Sequence, residues 1–323
     1  TWGNGSTGLT GEVSSANSLV GTNPNDEVGS TVTALANGNF VVQSPGWHAS
    51  RGAVTFGDGT SGIAGYLSAY NSLVGTMPGD RIASDGVVEL GANYIAIASS
   101  GWDQGRGSVT LASSVASGLR PLIGVVNSQN SIVGTNPGDA FGTGVIWNLE
   151  PGSSAVRFAI SSPNANNQTG SVQIVTQSAQ VDALTSTMLW DPNSQAGNRF
   201  GEQTTVLGNG NIVIAVPLAD YDAATADSGA VYFYDGITGA LTSWLAGNQP
   251  GDKVGSGGVT AFVNDNFVVG SPLWSQRRGA ATWGSASTGF GSLVNEGPSV
   301  VVASGNSLVG SNPGDLVGQN LLA

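Results

Sequence analysis

The chain has 323 residues, of which 50 are Gly, none is Cys and only 9% are charged. Nine Lys and Arg against 21 Asp and Glu give a formal net charge of −12. That balance repels polyanions and excludes a nucleic-acid-binding surface, because phosphate binding needs clustered cations. Without cysteine there are no disulfides and no thiolate chemistry, and no apolar run is long enough for a membrane-spanning helix or a signal-peptide core.

In chain order, the opening "TWGNG" (1–5) recurs as "TWGSA" at 282–286. The chain is therefore expected to begin inside a repeat, as a processed product or as part of a larger protein. Residues 17–26 read "NSLVGTNPND", and the decapeptide returns as "NSLVGTMPGD" (71–80), "NSIVGTNPGD" (130–139) and "NSLVGSNPGD" (306–315). With the last residue as a marker, Asp26, Asp80, Asp139, Asn198, Asp252 and Asp315 stand 54, 59, 59, 54 and 63 residues apart. Such a fixed period takes precedence over any local pattern. It divides the chain into units 26–79, 80–138, 139–197, 198–251 and 252–314, flanked by residues 1–25 and 315–323.

Each unit repeats one order of segments. In the first, "VTAL" (32–35) leads through the turn "ANGN" (36–39) to "FVVQSP" (40–45), a loop, "RGAVTFG" (51–57), a second loop and "NSLVG". Four short β-branched runs separated by Gly/Asn/Pro/Asp clusters predict four antiparallel strands, and the Asn-Gly and Asn-Asp turns suit tight hairpins. Helical periodicity is missing. A β-solenoid would repeat about every 20 to 30 residues, whereas four-stranded units of this length predict an all-β propeller closed radially. Within the decapeptide, Pro-Gly predicts a type II turn, with Pro fixing φ and Gly taking the positive φ. The Asp that follows is expected to accept a backbone N–H and hold the exit of a hinge between units. One carboxylate per unit makes a poor calcium shell.

The segments "PGDKVGSGGVTAFVNDNFVVGSPLWSQRRGAATWG" (250–284) and "NRFGEQTTVLGNGNIVIAVPLADYDAATADSGAVYFYDGITGAL" (198–241) resemble the FG-GAP repeat, which builds the β-propeller of integrin α subunits and of many bacterial surface proteins. The "FG" element stands at Phe200–Gly201 and Phe141–Gly142. The "GAP" element appears as "GSP" (270–272), "QSP" (43–45), "SSP" (161–163) and "AVP" (215–217), and "GAVY" at 229–232. The tandem units are also similar to repeats of large secreted bacterial adhesins and haemagglutinin-like exoproteins. The resemblance implies an extracellular adhesive module. Its Asp-rich calcium loop is not matched: the corresponding turns read "LANGNF", "LGANY", "LGNGNI" and "FVNDNF". The one Asp-rich loop, with Asp220, Asp222 and Asp227, lies elsewhere in its unit, and a solvated loop competes with a weak cation site there.

Catalysis finds little to work with. There is one histidine, His48, no G-x-S-x-G elbow, no zinc ligand set and only six Glu. Loops that are variants of one another also do not make the one convergent site that an enzyme needs. No cofactor is expected. The loops between the second and third strands carry Trp47 with Arg51, Trp102 with Arg106, and Trp274 with Arg277 and Arg278. Two readings stand for them: sugar stacking or a protein hot spot, or a Trp packed over its own sheet with the Arg stem alongside.

The sequence thus predicts one domain, 1–323, a β-propeller of about six four-stranded blades with the last blade shared by the two ends. Its expected role is an extracellular bacterial adhesive or structural module, with other copies, surface proteins or glycans as partners, no nucleic acid and no membrane insertion. A secreted polysaccharide-active enzyme or lectin-like domain is the alternative. Counting strands leaves the shared blade one short. Thr1, Trp2 and Gly3 correspond to a third strand, residues 17–21 to a fourth, and the segment with Gln319, Asn320, Leu321, Leu322 and Ala323 to a first. The second-strand slot is expected to take a strand from outside the chain, giving head-to-tail filament assembly.

Overall fold

Short apolar runs between Gly- and Asn-rich turns form hairpins throughout, because β-branched side chains suit a pleated, buried surface. The computed structural model describes residues 1–91, 93–116, 118–144, 146–149, 156–177, 183–220, 224–291 and 299–321. It is all-β, with strands gathered mainly into sheets of four or five. Two compact units divide it: Thr1–Val156 with Gln177–Ala183, and Arg157–Thr176 with Leu184–Ala323.

The first unit begins with β1 (Leu19–Val20), β2 (Thr31–Ala34), β3 (Phe40–Ser44), β4 (Ala53–Gly57), β5 (Gly65–Tyr66) and β6 (Ser72–Val74). It continues with β7 (Gly86–Gly91), β8 (Tyr94–Ser99), β9 (Ser108–Ser113), β10 (Gly124–Val125), β11 (Ser131–Val133) and β12 (Ile146–Asn148). Strands β2, β3, β4 and β6 make one antiparallel meander, and β7, β8, β9 and β11 another. The "ANGN" turn closes as expected, with Gly38 at φ +85° and its N–H on the Leu35 carbonyl. Strands β3, β8 and β9 are buried almost along their whole length, whereas β2 is largely exposed. The central strands are covered on both faces, which is why they read as unbroken apolar and small residues rather than as an alternation. Leu35, Val41, Val54, Leu73, Ile82, Ile95 and Ile97 share one core cluster.

The second unit contains β13 (Val156–Ser162), β14 (Ser171–Gln177), β15 (Leu184–Leu189), β16 (Gln203–Val206), β17 (Ile212–Val216) and β18 (Ala230–Tyr234). It ends with β19 (Leu241–Ala246), β20 (Gly258–Ala261), β21 (Phe267–Ser271), β22 (Ala280–Gly284), β23 (Ser299–Val301) and β24 (Ser307–Val309). Strands β13 to β15 are neighbours, β16 to β19 form a meander, and β20, β21, β22 and β24 form the last sheet. Phe233 of β18 stacks on Phe267 of β21 at 5.9 Å and 8° within the core.

One element exceeds the four strands expected per repeat. Before three of the four "NSLVG"-type strands a short strap runs parallel to the outermost strand of the preceding repeat: β5 on β1, β10 on β6 and β23 on β19. Two- and three-residue straps are too short to show a periodicity, so only their recurrence before the decapeptide marks them. At the beginning of the chain Thr1–Gly3 forms no strand. Thr1 nevertheless meets Ser18 by a hydroxyl–hydroxyl hydrogen bond just as Thr55 meets Ser72, which places it in the third-strand position. Toward the other end, Val317 bridges Gly279, and Gln319, Asn320 and Leu321 form no strand; Leu322 and Ala323 lie outside the described residues.

Candidate functional site

The most elaborate recurrent geometry is the junction where the decapeptide meets the loop between the second and third strands. The Pro-Gly turn has the expected form. The N–H of Asp80 donates to the Met77 carbonyl at 3.2 Å with Gly79 at φ +90°, and Asp139, Asp252 and Asp315 repeat it with Gly138, Gly251 and Gly314. Asp80 is 1% exposed, and its Oδ2 accepts the N–H groups of Thr76 and Met77, both at 2.8 Å.

The other carboxylate oxygen does something the sequence analysis missed. Oδ1 of Asp80 accepts the N–H of Asp103 at 3.0 Å, Oδ1 of Asp26 that of His48 at 2.9 Å, and Oδ1 of Asp252 that of Ser275 at 2.9 Å. Each acceptor reaches 22 or 23 residues along the chain, to the residue after the loop Trp. The available signal was the nearly constant distance between marker and Trp, 21 residues from Asp26 to Trp47 and 22 from Asp80 to Trp102 and from Asp252 to Trp274.

What the Asp holds is a left-handed turn. His48, Ala49 and Ser50 all have positive φ (50°, 59° and 60°), as do Asp103 to Gly105, Asn166 to Gln168 and Ser275 to Arg277. Their N–H groups close i to i+4 bonds, Ser50 to Gly46 and Gly105 to Gly101. Left-handed helical conformation costs L-residues about 1–2 kcal/mol each, so these turns persist only because their surroundings hold them. On the far side the next repeat does so: Arg81 donates its N–H to Ser50, and Ile82 to Arg51. Gly52 and Gly107 make that approach possible, since a Cβ on Gly107 would lie 2.3 Å from the Phe141 nitrogen.

The candidate binding side chains serve this junction. Trp47 is 8% exposed inside a core cluster with Leu19 and Val74, while Trp102 and Trp274 are half-buried and pack against the cores of their units. Their Nε1 atoms are buried without a hydrogen-bonding partner among the described residues. Arg106 donates Nη1 to the Thr135 carbonyl and pairs through Nε with Asp103 at 2.9 Å, and Arg278 donates Nε to the Gly310 carbonyl at 2.8 Å. Arg51 is half-buried, and Arg277 is exposed. Trp47, Trp102 and Trp274 are thus packed within their own units, and Arg106 and Arg278 are tied to their own repeat junctions.

In the Asp-rich loop, Oδ1 of Asp220 accepts the Asp227 N–H at 2.8 Å and Asp227 pairs with Lys253 at 3.4 Å; Asp222 lies outside the described residues. His48 lies 5.1 Å from Trp47, ring to ring, with Nδ1 3.4 Å from the Asn23 amide. No three His, Cys, Asp or Glu converge among the described residues. Thr1, Trp2 and Gly3 line an apolar groove of about 360 Å³ with Leu19, Val32 and Phe40.

The pKa shifts follow the same turns. Burial pushes the Asp26 carboxyl up, but the N–H groups of Asn23, His48 and Thr22 outweigh it and hold it below 3.8. Asp58, in the tip after β4, is lowered to about 2 by the hydroxyl and N–H of Thr60 and the N–H of Ser61. None of these groups is poised for proton transfer near neutral pH.

A family model described as "Repeat of unknown function (DUF5650)" matches residues 1–30, 34–84, 91–143, 206–256 and 261–319. Each match ends four residues past a marker Asp, so it cuts the same period at a different point. Among curated proteins none matches the sequence.

Proposed function

Since the chain belongs to this DUF5650 repeat family, whose description assigns no activity, we propose that it acts as an extracellular adhesive or structural module of a bacterial surface. In this reading the repeats close into an FG-GAP-type propeller of about six blades, and the module has no catalytic activity. Its partners are further copies and other surface proteins.

One observation carries the reading: the recurrent polar and aromatic side chains are used to join repeats. Asp26, Asp80 and Asp252 spend both carboxylate oxygens on backbone N–H groups. Arg106 and Arg278 bind the turn that ends their repeat, and Trp47 is in the core. A chain that invests its polar groups in its own junctions is built as a rigid repetitive body, in which stability comes from each repeat and its neighbour contacts. The test has two parts. Electron-microscopic class averages should show radial blades, and an open array would refute the propeller. Incubation with a panel of extracellular polysaccharides should yield no turnover, and any chain-dependent cleavage would refute the non-catalytic reading.

A further inference from the structure

The recurrent polar side chains serve the junctions, but the fifth repeat keeps four together that do not. The Pro-Gly turn before β20 and the left-handed turn after β21 enclose a groove of about 560 Å³, lined by Gln249, Pro250, Leu273, Ser275, Gln276 and Arg277, a size that suits a small ligand. Among the described residues, the side chains of Gln249, Ser275, Gln276 and Arg277 make no hydrogen bond or ion pair. Gln249, Gln276 and Arg277 are exposed, and Ser275 is half-buried. The backbone beneath them is fixed. Ser275 donates its N–H to Asp252 Oδ1 at 2.9 Å and Arg277 its own to the Leu273 carbonyl at 3.1 Å, while the Arg277 carbonyl accepts the N–H groups of Gly314 at 3.0 Å and Leu316 at 3.1 Å. Side chains carried on an ordered backbone bind without the cost of ordering it.

The turn follows the repeat, but its side chains do not. In chain order the place of Arg277 is taken by Ser50, Gly105 and Gln168, that of Gln276 by Ala49, Gln104 and Asn167, and that of Gln249 by Asn23, Met77 and Asn136. The four residues at the Arg277 place have φ of +60°, +76°, +63° and +67°. Of these four turns only the last carries a cation there. The one carboxylate in the groove does not neutralise it: Asp252 is 2% exposed, and its oxygens accept the N–H groups of Asn248, Gln249 and Ser275. Arg277 therefore sets the sign of the open surface.

The lining fits a sugar rather than a protein segment. Two amides and a hydroxyl match sugar hydroxyls, and Pro250 and Leu273 supply a short apolar wall. Trp274 packs against the core with Nε1 buried, so the groove lacks the aromatic anchor of a protein hot spot. The guanidinium adds a bidentate seat for a carboxylate. With 21 acidic residues against nine cationic ones, the chain repels a run of acids, which limits the ligand to an isolated acidic residue.

We propose that this groove binds a uronic-acid residue of an otherwise neutral glycan, its carboxylate on Arg277 and its hydroxyls on Gln249, Ser275 and Gln276. The inference gives the adhesive module a ligand and rests on that reading only for the polysaccharide setting.

The test is ligand-observed NMR on the full chain, with glucuronate and glucose as probes. Wild-type chain should bind glucuronate at least about tenfold more tightly than glucose, and added salt should narrow the difference. Arg277→Gln installs the residue that Gln168 already supplies at this positive φ, so the melting temperature should not move while glucuronate binding weakens at least about tenfold. Gln276→Ala, with Ala49 as its precedent, should weaken both probes alike. Arg81→Gln removes a different exposed arginine and should leave binding unchanged. Glucose bound as tightly as glucuronate, or glucuronate binding that survives Arg277→Gln or falls equally with Arg81→Gln, would overturn the proposal. Displacement of glucuronate by an equal concentration of inorganic sulfate would also overturn it, by showing a seat for any oxyanion. A wild type that binds neither probe would overturn it and leave the module reading standing, because that reading rests on the junctions.

Discussion

Replacing Asp80 by Asn tests the junction directly. The substitution keeps the shape but leaves one acceptor where there were two. The carboxylate receives three backbone N–H groups, from Thr76, Met77 and Asp103, at a position only 1% exposed. An Asn can turn its oxygen toward the first pair, which sets its NH2 against the Asp103 N–H, a donor facing a donor. A hydrogen bond to a charged acceptor is worth about 1.5–3 kcal/mol, and a buried donor left unpaired costs about 1–3 kcal/mol. Because the two estimates overlap, a net loss of about 3 kcal/mol is expected. For a unit of this size that lowers the melting temperature by roughly 6–12 °C, measured by calorimetry at neutral pH. Amide exchange at Asp103 to Gly105 should accelerate in the same variant, because the left-handed turn loses its clamp. Asp315 supplies the control: it binds Ser311 and Asn312 in its own turn, is exposed, and reaches no loop through Oδ1 among the described contacts. Asp315→Asn should shift the melting temperature far less. Equal shifts for the two, or an unchanged Asp80→Asn, would refute the clamp.

Three further outcomes follow from the same geometry. Gly107→Ala forces a side chain onto a positive φ of 83° with its Cβ 2.3 Å from the Phe141 nitrogen, so the urea midpoint should fall by the equivalent of at least about 2 kcal/mol; an unchanged midpoint would contradict the close approach. Ala140→Gly relieves a non-Gly residue at φ +49° whose N–H bond to Gly105 is kept, and a net gain of about 0.5 kcal/mol is expected once the looser unfolded chain is subtracted, visible as a raised melting temperature. Asp26, Asp235 and Asp315 are held below 3.8 and Asp58 at about 2. Carboxyls depressed in the folded state add stability above their unfolded pKa and lose it as pH falls through the folded one, so the melting temperature should drop between about pH 4 and pH 2, and a flat profile across that window would refute the assignment.

Much of the fold was legible because the repeat multiplies weak signals. A single "FVVQSP" says little, but its recurrence at a fixed place before an R-G pair located second and third strands in several units. The Pro-Gly turn could be read from residue chemistry alone, since few residues tolerate its two conformations. The straps were not legible. β5 is Gly65–Tyr66, two residues whose role comes from the strand they lie against, and pairing with a previous repeat leaves no local pattern. The Trp and Arg residues were visible, but their environment was not: burial at Trp47 is set by Leu19 and Val74 from distant segments. The family model leaves most of the third unit, 139–197, unmatched. Here Asn198 replaces the marker and its Nδ2 donates to Asp191 Oδ2 at 2.8 Å, so the carboxylate has moved seven residues upstream.

The left-handed turns explain why the decapeptide ends in Asp. Three consecutive residues at positive φ cost several times the roughly 1–2 kcal/mol of one, and the sequences there, "HAS", "DQG", "NNQ" and "SQR", hold a single Gly between them. Local preference therefore cannot form this turn. It forms because a buried carboxylate arrives from the preceding decapeptide to take the N–H of its first left-handed residue, while the following decapeptide presents N–H groups to the carbonyl of its last, as Arg81 does to Ser50. The decapeptide at 71–80 thus serves two loops, one through the Asp80 side chain and one through its backbone. A repeat deprived of either neighbour would have no means of holding the turn, which couples neighbouring repeats energetically. That coupling is why the segment between the fourth strand and the next first strand varies least along the chain, while the tips of the hairpins vary freely.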